Sequence, residues 1–270
     1  MLTITQNKVA GLEPRWAAFP GFSLLFDNPG ASTSPADDLL KIACPLQPGS
    51  ELDFYFRLAE TINDLDRDLL ISTYLFCPLP PTSFHVTVWD GVNVDNESSV
   101  VPELRAEWTT FLTGIPESLH RPPASMSIVA DSELMTKSFG NIRFQFEKLT
   151  IWGNQVLVSR LAPDEESKER FRSLSAARAS LCDESKRHLG VAPIQSYSPH
   201  VSLGYFANRE HGQVADARLA DWTDRFRRNL DGSSITYSSL DVYAFTNMAS
   251  FYKLAGTHLH EPASNSPHAP

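Results

Sequence analysis

Short segments of the chain alternate strictly between apolar and polar residues. Between residues 142 and 147 the apolar side chains of Ile142, Phe144 and Phe146 alternate with Arg, Gln and Glu, a period of two that is typical of a half-buried strand. The turn residues Gly153 and Asn154 separate this segment from a second apolar segment at 156–161, which predicts a hairpin. Further strands are predicted at residues 39–44, 84–89, 200–205, 235–245 and 250–254.

Other segments repeat their apolar residues at helical spacing. A helix is predicted after Pro48 and Gly49, and a second one over 102–112. A long charged helix is predicted between Pro163 and Gly190, because acidic residues at 164–166 suit its positive end and a buried stripe follows. The stripe consists of Phe171, Leu174, Ala177 and Leu181. A further helix has Leu219, Trp222, Phe226 and Leu230 on one side.

The order of these elements predicts the fold class. Strands and helices are interleaved, but consecutive strands also occur without a helix between them, which favours an α+β fold with mainly antiparallel sheets over a doubly wound parallel sheet. Residues 1–38 are predicted to be an N-terminal extension, 39–256 a single domain, and 257–270, rich in Pro, Ser and His, a flexible tail. We expect no nucleotide cofactor, since no glycine-rich phosphate loop is present.

Composition and charge restrict the partners. The chain has 270 residues, 42% of them hydrophobic, which is typical of a globular protein with a substantial core. Its net charge of −9 argues against coating of long nucleic acids but is compatible with a small or terminal anionic substrate in a locally positive cleft. The three cysteines, Cys44, Cys77 and Cys182, lack the paired spacings of zinc sites or disulfide frameworks. We expect a cytoplasmic protein without a membrane partner, and its oligomeric state stays open.

One short pattern occurs twice. His85-Val86-Thr87-Val88 and His200-Val201-Ser202-Leu203 each place a histidine two residues before a small hydroxyl residue, and the two histidines are 115 positions apart. On a strand, residues two apart face the same side, so each imidazole shares a face with its hydroxyl neighbour. If the two strands lie side by side across a pseudo-twofold axis, both pairs line a single cleft.

This set of side chains suits phosphodiester chemistry. One neutral imidazole can remove a proton from the attacking water or ribose hydroxyl, while the other, protonated, donates one to the leaving oxygen. Thr87 and Ser202 can donate hydrogen bonds to the non-bridging phosphate oxygens. We therefore expect His85, Thr87, His200 and Ser202 to be catalytic, with no metal ion required, and the roles of the two histidines stay open.

Five further residues are candidates for binding the substrate. Trp89, Tyr197 and Tyr205 lie near the motifs and could stack on a nucleobase, although a role in the core or at its rim is equally compatible with their positions. Arg143 and Gln145 are expected to face a cleft because their apolar neighbours take the opposite side of the strand. Arg143 could bind a terminal phosphate, and a solvent-exposed strand face is the alternative.

The two histidine motifs resemble the tandem signature of the two-histidine (2H) phosphoesterases, which include RNA-ligase-like and cyclic phosphodiesterase enzymes. The segment from Pro80 to Val92 is also similar to a little-characterised branch of that superfamily. The resemblance implies a bilobal fold of two antiparallel sheets with outer helices and metal-independent action on cyclic or 2′-linked phosphodiesters. The N-terminal extension and an insertion at 93–102 depart from the minimal family pattern, so the substrate stays open.

Three functions are compatible with the sequence. The first is a metal-independent phosphodiesterase that acts on a cyclic phosphate or a 2′-linked phosphodiester of a nucleotide or short RNA end. The second is a non-catalytic nucleotide- or RNA-binding module on the same fold. The third is a metal-dependent hydrolase with His85 and His200 as ligands, against which the scarcity of Asp and Cys near the motifs argues.

Overall fold

The computed structural model describes residues 3–12, 15–65, 67–191 and 193–255. The strands are β1 (Val9–Gly11), β2 (Arg15–Trp16), β3 (Gly21–Phe26), β4 (Thr33–Ala36), β5 (Leu39–Ile42), β6 (Phe76–Pro78), β7 (Thr87–Asn93), β8 (Ile142–Trp152), β9 (Val156–Pro163), β10 (His200–Phe206), β11 (Ser234–Tyr237), β12 (Leu240–Asn247) and β13 (Ser250–Leu254). The helices are α1 (Asp53–Asn63), α2 (Arg67–Tyr74), α3 (Pro102–Thr113), α4 (Ser127–Ala130), α5 (Glu133–Thr136), α6 (Lys168–His188), α7 (Arg209–Asp216) and α8 (Leu219–Asn229).

The strands form two large sheets. One has five strands in the order β11-β8-β9-β10-β6, and the other has six in the order β4-β5-β13-β12-β3-β7. A short pair, β1-β2, lies apart from both. Within the described residues every strand pairing is antiparallel, which confirms the predicted α+β fold.

Residues near the N-terminus belong to the core. β3 lies between β12 and β7, and all six of its residues are buried. Apart from Ser23 its residues are apolar or glycine, without alternation, which is typical of a strand covered on both faces. Residues 21–26 are therefore a central strand of the six-stranded sheet, not part of an extension as the sequence suggests. The predicted tail at 257–270 lies outside the described residues.

The predicted hairpin and long helix are both confirmed. Gly153 and Asn154 connect β8 to β9 with φ angles of 57° and 58°, the left-handed conformation that tight hairpin turns need at both central positions. α6 buries Leu174, Ala177 and Leu181 and ends shortly before Gly190, whose φ is 80°. No helix among the described residues has the length and apolar character needed to cross a membrane.

The strand predicted over 235–245 is in fact two strands in different sheets. β11 pairs with β8 in the five-stranded sheet, whereas β12 pairs with β3 in the six-stranded sheet. The hydroxyl residues Ser238 and Ser239 lie between them, where the chain crosses from one sheet to the other. The core is continuous across this crossing, because the ring of Tyr237 stacks on Phe26 at a centroid distance of 4.7 Å.

Candidate active site

The two histidine motifs meet at a single backbone bridge. Val86 and Val201 form an isolated antiparallel bridge, and both side chains are completely buried. In an antiparallel register the neighbours of the bridged pair lie opposite each other with their side chains on the same face, so Thr87 faces His200 and His85 faces Ser202. The structure thus brings together all four predicted catalytic residues on the face opposite the valines.

The exposure of the side chains follows the same alternation. The buried positions of the two motifs are Val86, Val88, Val201 and Leu203, and the half-buried positions are His85, Thr87, His200 and Ser202. Because alternate residues of a strand point to opposite faces, the histidines and hydroxyls share the more open side. An antiparallel bridge has a local twofold axis, and the two motifs are related by that axis.

Each imidazole is held by a backbone carbonyl two residues earlier. His85 Nδ1 lies 2.8 Å from the carbonyl oxygen of Ser83, and His200 Nδ1 lies 3.0 Å from that of Ser198. A carbonyl oxygen only accepts hydrogen bonds, so Nδ1 is the protonated nitrogen in both rings. Nε2 is then the nitrogen that exchanges a proton with a bound molecule.

His85 packs against an aromatic ring from the six-stranded sheet. Its ring centroid lies 4.1 Å from that of Phe251 in β13. Burial lowers the pKa of His85 to about 4, against a smaller opposing effect of the Ser83 carbonyl, and the positive charge that His200 can carry lowers it further. His85 is therefore neutral at physiological pH.

His200 lies in a more charged environment. Its ring packs edge-on against Trp152 at 4.2 Å, and burial lowers its pKa from the ordinary value of 6.5. The Ser198 carbonyl and the negative charge of Asp90 act in the opposite direction, while the positive charge of Arg160 adds to the lowering. The carboxylate of Asp90 thus favours the protonated form of His200.

A cavity of about 420 Å³ opens beside His200. It is lined by Thr87, Val88, Asp90, Trp152, Gly153, Arg160, Arg178, Ile194, Ser196, Tyr197, Ser198 and His200. In the described part of the chain, Arg160 Nε and Ser198 Oγ are buried without a hydrogen-bond partner, so both can donate to an acceptor oxygen that enters the cavity. His85 and Ser202 lie one residue pair further along the bridge, outside this lining.

Tyr197 is the one predicted binding residue in this lining. Its hydroxyl donates a hydrogen bond of 3.1 Å to the carbonyl oxygen of Thr87, and burial raises its pKa. Trp89, in contrast, is completely buried and packs against Phe22 at 5.7 Å. A spacing of two residues from Thr87 predicts that Trp89 faces the same side as the histidines. This prediction is wrong because β7 has a bulge: Leu24 pairs with Trp89 and Leu25 with Thr87, so Val88 is an extra residue.

Tyr205 lies in a second bulged strand. Ser202 pairs with Val158 and Gly204 with Leu157, so the register of β10 shifts by one residue before Tyr205. Tyr205 is 5% exposed, and the ring of Trp16 packs edge-on against it at 5.8 Å. It is therefore covered by the N-terminal segment and lies away from the cavity.

Arg143 and Gln145 are exposed but distant from the motifs. Both lie on β8, where they pair with Thr236 and Ser234 of β11, and β9 separates β8 from the histidine-bearing strand β10. Arg143 donates a hydrogen bond from Nε to the carboxylate of Asp164. The structure thus confirms that they face away from the core but does not bring them to the cavity.

Nine residues of the lining are absent from the predicted set, and four of these carry a charge or an aromatic ring: Asp90, Trp152, Arg160 and Arg178. One of them carries a sequence signal, since Arg178 lies four residues after Leu174 and three before Leu181 and so interrupts the apolar stripe of α6. The position of Trp152 depends on which strand the hairpin adjoins, and spacing alone does not contain that information. Among the described residues no three His, Cys, Asp or Glu side chains are grouped as metal ligands.

Comparison with known proteins gives a fold relationship. No family model matches the sequence, and no curated protein matches it. A conserved protein of unknown function from Agrobacterium tumefaciens superposes with a TM-score of 0.52 at 16% identity, over 93% of this chain and 90% of that one. This similarity shows a shared fold.

Two structures of Usb1 from Kluyveromyces marxianus are more distant. One has a TM-score of 0.39 at 9% identity, over 88% of this chain and 98% of that one. The other, solved with uridine monophosphate, has a TM-score of 0.38 at 11% identity, over 87% and 99% of the two chains. Superpositions at this level support no conclusion about the activity of this chain.

Proposed function

We propose that this protein is a metal-independent phosphodiesterase of the two-histidine type, which hydrolyses a cyclic phosphate or a 2′-linked phosphodiester of a nucleotide or short RNA end. The observation that carries the proposal is the bridge between Val86 and Val201, whose antiparallel register puts His85, Thr87, His200 and Ser202 on one face. Two imidazoles and two hydroxyls on the same side of adjacent strands can supply the base, the acid and the hydrogen-bond donors for in-line attack at phosphorus.

The environments of the imidazoles support different roles for them. His85 is neutral at physiological pH because its pKa is about 4, which suits the base that removes a proton from the attacking water. Asp90 opposes the lowering of the His200 pKa by burial, and a bound phosphodiester adds a second negative charge that acts in the same direction as Asp90. We therefore assign His200 as the acid that protonates the leaving oxygen.

In the hydrolysis step one imidazole accepts a proton and the other donates one. The water oxygen forms a bond to phosphorus while His85 Nε2 accepts the water proton, and the bond from phosphorus to the leaving ribose oxygen breaks as His200 Nε2 donates its proton to that oxygen. Thr87 and Ser202 donate hydrogen bonds to the non-bridging oxygens, on which negative charge develops. Exchange with solvent then restores both rings.

The cavity supports an occupant that is larger than a phosphate group. Its volume of about 420 Å³ lies in the range of small-molecule sites, and Trp152 gives it an aromatic wall on which a nucleobase can stack. Arg160 and Arg178 place two guanidinium groups at the lining of a protein whose net charge is −9, against the carboxylates of Asp90 and of Glu147, which pairs with Arg160 at 3.2 Å. We infer that the nucleoside part of the substrate lies in this cavity.

The proposal is tested by incubating the protein with a panel of nucleoside 2′,3′-cyclic phosphates, 2′-5′ and 3′-5′ dinucleotides and cyclic ADP-ribose derivatives, with product detection by chromatography. We expect conversion of at least one of these compounds, unchanged by a metal chelator. His85→Ala and His200→Ala should each lower kcat by about 10²- to 10⁴-fold, the usual contribution of a positioned acid or base. His188→Ala is the matched control, since His188 is exposed at the end of α6.

Three results would contradict the proposal. Full activity of either alanine variant would exclude two-histidine catalysis. Binding of a 2′,3′-cyclic nucleotide without product would instead identify a non-catalytic binding module. Inhibition by the chelator, with restoration by zinc or manganese, would indicate a metal-dependent hydrolase.

A further inference from the structure

A buried arginine lies next to the cavity without a carboxylate partner. Arg178 of α6 is 3% exposed, and in the described part of the chain it forms no ion pair. Burial of a charge is costly unless hydrogen bonds replace its hydration. An arginine at this position of the apolar stripe therefore needs a structural reason.

The hydrogen bonds of Arg178 supply that reason. Its Nε donates to the carbonyl oxygen of Val88 at 2.6 Å, its Nη1 to that of Gln195 at 2.9 Å, and its Nη2 to that of Ile194 at 2.8 Å. Hydrogen bonds from a charged donor are the stronger kind, and the rigid fork of a guanidinium can reach several acceptors at once. All three acceptors are backbone atoms, so Arg178 holds the backbone of the segments to which they belong.

These carbonyls belong to the two segments that carry the histidine motifs. Val88 directly follows Thr87 in β7, and residues 194–195 precede Ser198, whose carbonyl holds His200 Nδ1. Tyr197 adds a second connection of the same kind. Its ring lies under the guanidinium at 5.1 Å, and its hydroxyl donates to the Thr87 carbonyl.

We propose that Arg178 is a positioning residue, which together with Tyr197 sets the placement of His200 and its Ser198 anchor relative to the strand of His85 and Thr87. The two motifs are otherwise joined in the backbone by the one bridge of Val86 and Val201, which fixes the register but leaves the segment before β10 to be held by other contacts. Arg178 supplies two of these contacts from a third element, α6, in addition to the hydrogen bonds from Leu161 N to the Pro199 carbonyl and from Gln195 Nε2 to Asp183.

The proposal predicts that shape matters more than charge at this position. Lysine would keep the positive charge but replace the planar fork by a single ammonium group, which cannot reproduce the three directions of donation. Methionine would keep much of the volume and remove the donors. We therefore expect both Arg178→Lys and Arg178→Met to misplace His200, whereas a role of Arg178 as a point charge near the phosphate would leave Arg178→Lys active.

The kinetic part of the test rests on the proposed function. With the preferred substrate of the wild-type protein, we expect each Arg178 variant to lower kcat by about 10- to 100-fold, since small misplacements of catalytic groups have effects of this size. In Arg178→Lys, KM should change by less than about threefold, because the positive charge in the lining and the Trp152 wall of the cavity remain. Arg172→Met is the control, since Arg172 is an exposed residue of the same helix that pairs with Glu169.

The second part of the test does not need turnover. In a ¹⁵N-labelled protein, the Nδ1 signal of each histidine ring reports the hydrogen bond to its carbonyl anchor. We expect the His200 signal to shift or broaden in both Arg178 variants and the His85 signal to stay, because two hydrogen bonds of Arg178 go to the segment that precedes the Ser198 anchor. Tyr197→Phe should give a smaller change of the same kind that adds little to an Arg178 variant, since both act on one unit.

The outcomes separate the two proposals. If the wild-type protein converts no substrate, the proposed function fails, and the ring signals alone decide the role of Arg178. Unchanged His200 signals in folded Arg178→Lys, or full activity of that variant, would overturn the positioning role. If Arg178→Met does not fold, Arg178→Lys and Tyr197→Phe decide the question in the same way.

Discussion

The burial of His85 predicts how the stability of the protein depends on pH. Native His85 binds its second proton near pH 4, whereas the unfolded chain binds it near the ordinary value of 6.5. Between these values the unfolded state holds more protons than the native state, so the free energy of unfolding decreases as the pH falls. His85→Asn removes this effect and keeps a side-chain N–H that can donate to the Ser83 carbonyl.

The magnitude follows from the difference between the two pKa values. At roughly 1.4 kcal/mol per unit, acidification from about pH 7.5 to about pH 4.5 should destabilise the wild type relative to His85→Asn by about 2.5 kcal/mol. The comparison must be a difference between the two proteins, because other groups also titrate in this range. Burial raises the pKa of Asp241 to about 6, against the opposing charge of Lys253, and this stabilises the native state as the pH falls.

Urea denaturation followed by tryptophan fluorescence measures this difference, since Trp89 and Trp108 are completely buried. The contribution of Asp241 is common to both proteins and cancels in the difference. We expect the free-energy difference between wild type and His85→Asn to change with pH in the stated direction. A difference that stays the same from about pH 7.5 to about pH 4.5 would show that the His85 ring is solvated in the native state, and it would refute the low pKa on which the assignment of the base depends.

Three further predictions concern turnover and packing. The value of kcat/KM should fall as the pH drops through about 4, where the base becomes protonated, and it should also fall as the pH rises through the pKa of His200, which lies below 6.5. Asp90→Asn should move this upper limb of the pH profile to lower pH, because Asp90 raises the pKa of His200. An unmoved limb would contradict the assignment of His200 as the acid. Gly204→Ala should lower the free energy of unfolding, measured in urea, by about 1–3 kcal/mol. The added Cβ would overlap the Phe76 ring and lie 2.5 Å from the carbonyl oxygen of Cys77. Unchanged stability would show that β6 can move aside. Arg143→Ala should keep kcat/KM within about twofold of the wild-type value, since Arg143 lies two strands from β10. A loss of more than about tenfold would mean that the substrate extends to β8.

The sequence predicts that each histidine shares a strand face with its hydroxyl neighbour, because that prediction needs only local geometry. The side chains of His85 and Thr87 share a face whatever strand lies beside them, since the period of two is a property of the backbone. The same reasoning fails for Trp89, two residues further along β7, because the bulge at Val88 arises from the pairing with β3. Local periodicity thus holds only as far as the register with the neighbouring strand is regular.

The rest of the site depends on the order of the strands. Arg143 and Gln145 are exposed as the alternation predicts, but their distance from the cavity follows from the position of β9 between β8 and β10. Trp152 reaches His200 because the tip of the hairpin lies beside β10, a contact between residues that are far apart in the sequence. β3 is not predicted from the sequence for a related reason. Its segment is almost entirely apolar, so it has no period that distinguishes the two faces of a strand.

The six-stranded sheet interleaves strands from opposite ends of the described chain. β12 and β13 lie between β3 and β5, which the ribosome produces some two hundred residues earlier. Until the late strands emerge, the nascent polypeptide has two apolar strands with unpaired edges, and such edges promote aggregation. We expect translation products that stop before β12 to need chaperones to stay dispersed, and the sheet to form only after synthesis has passed residue 254.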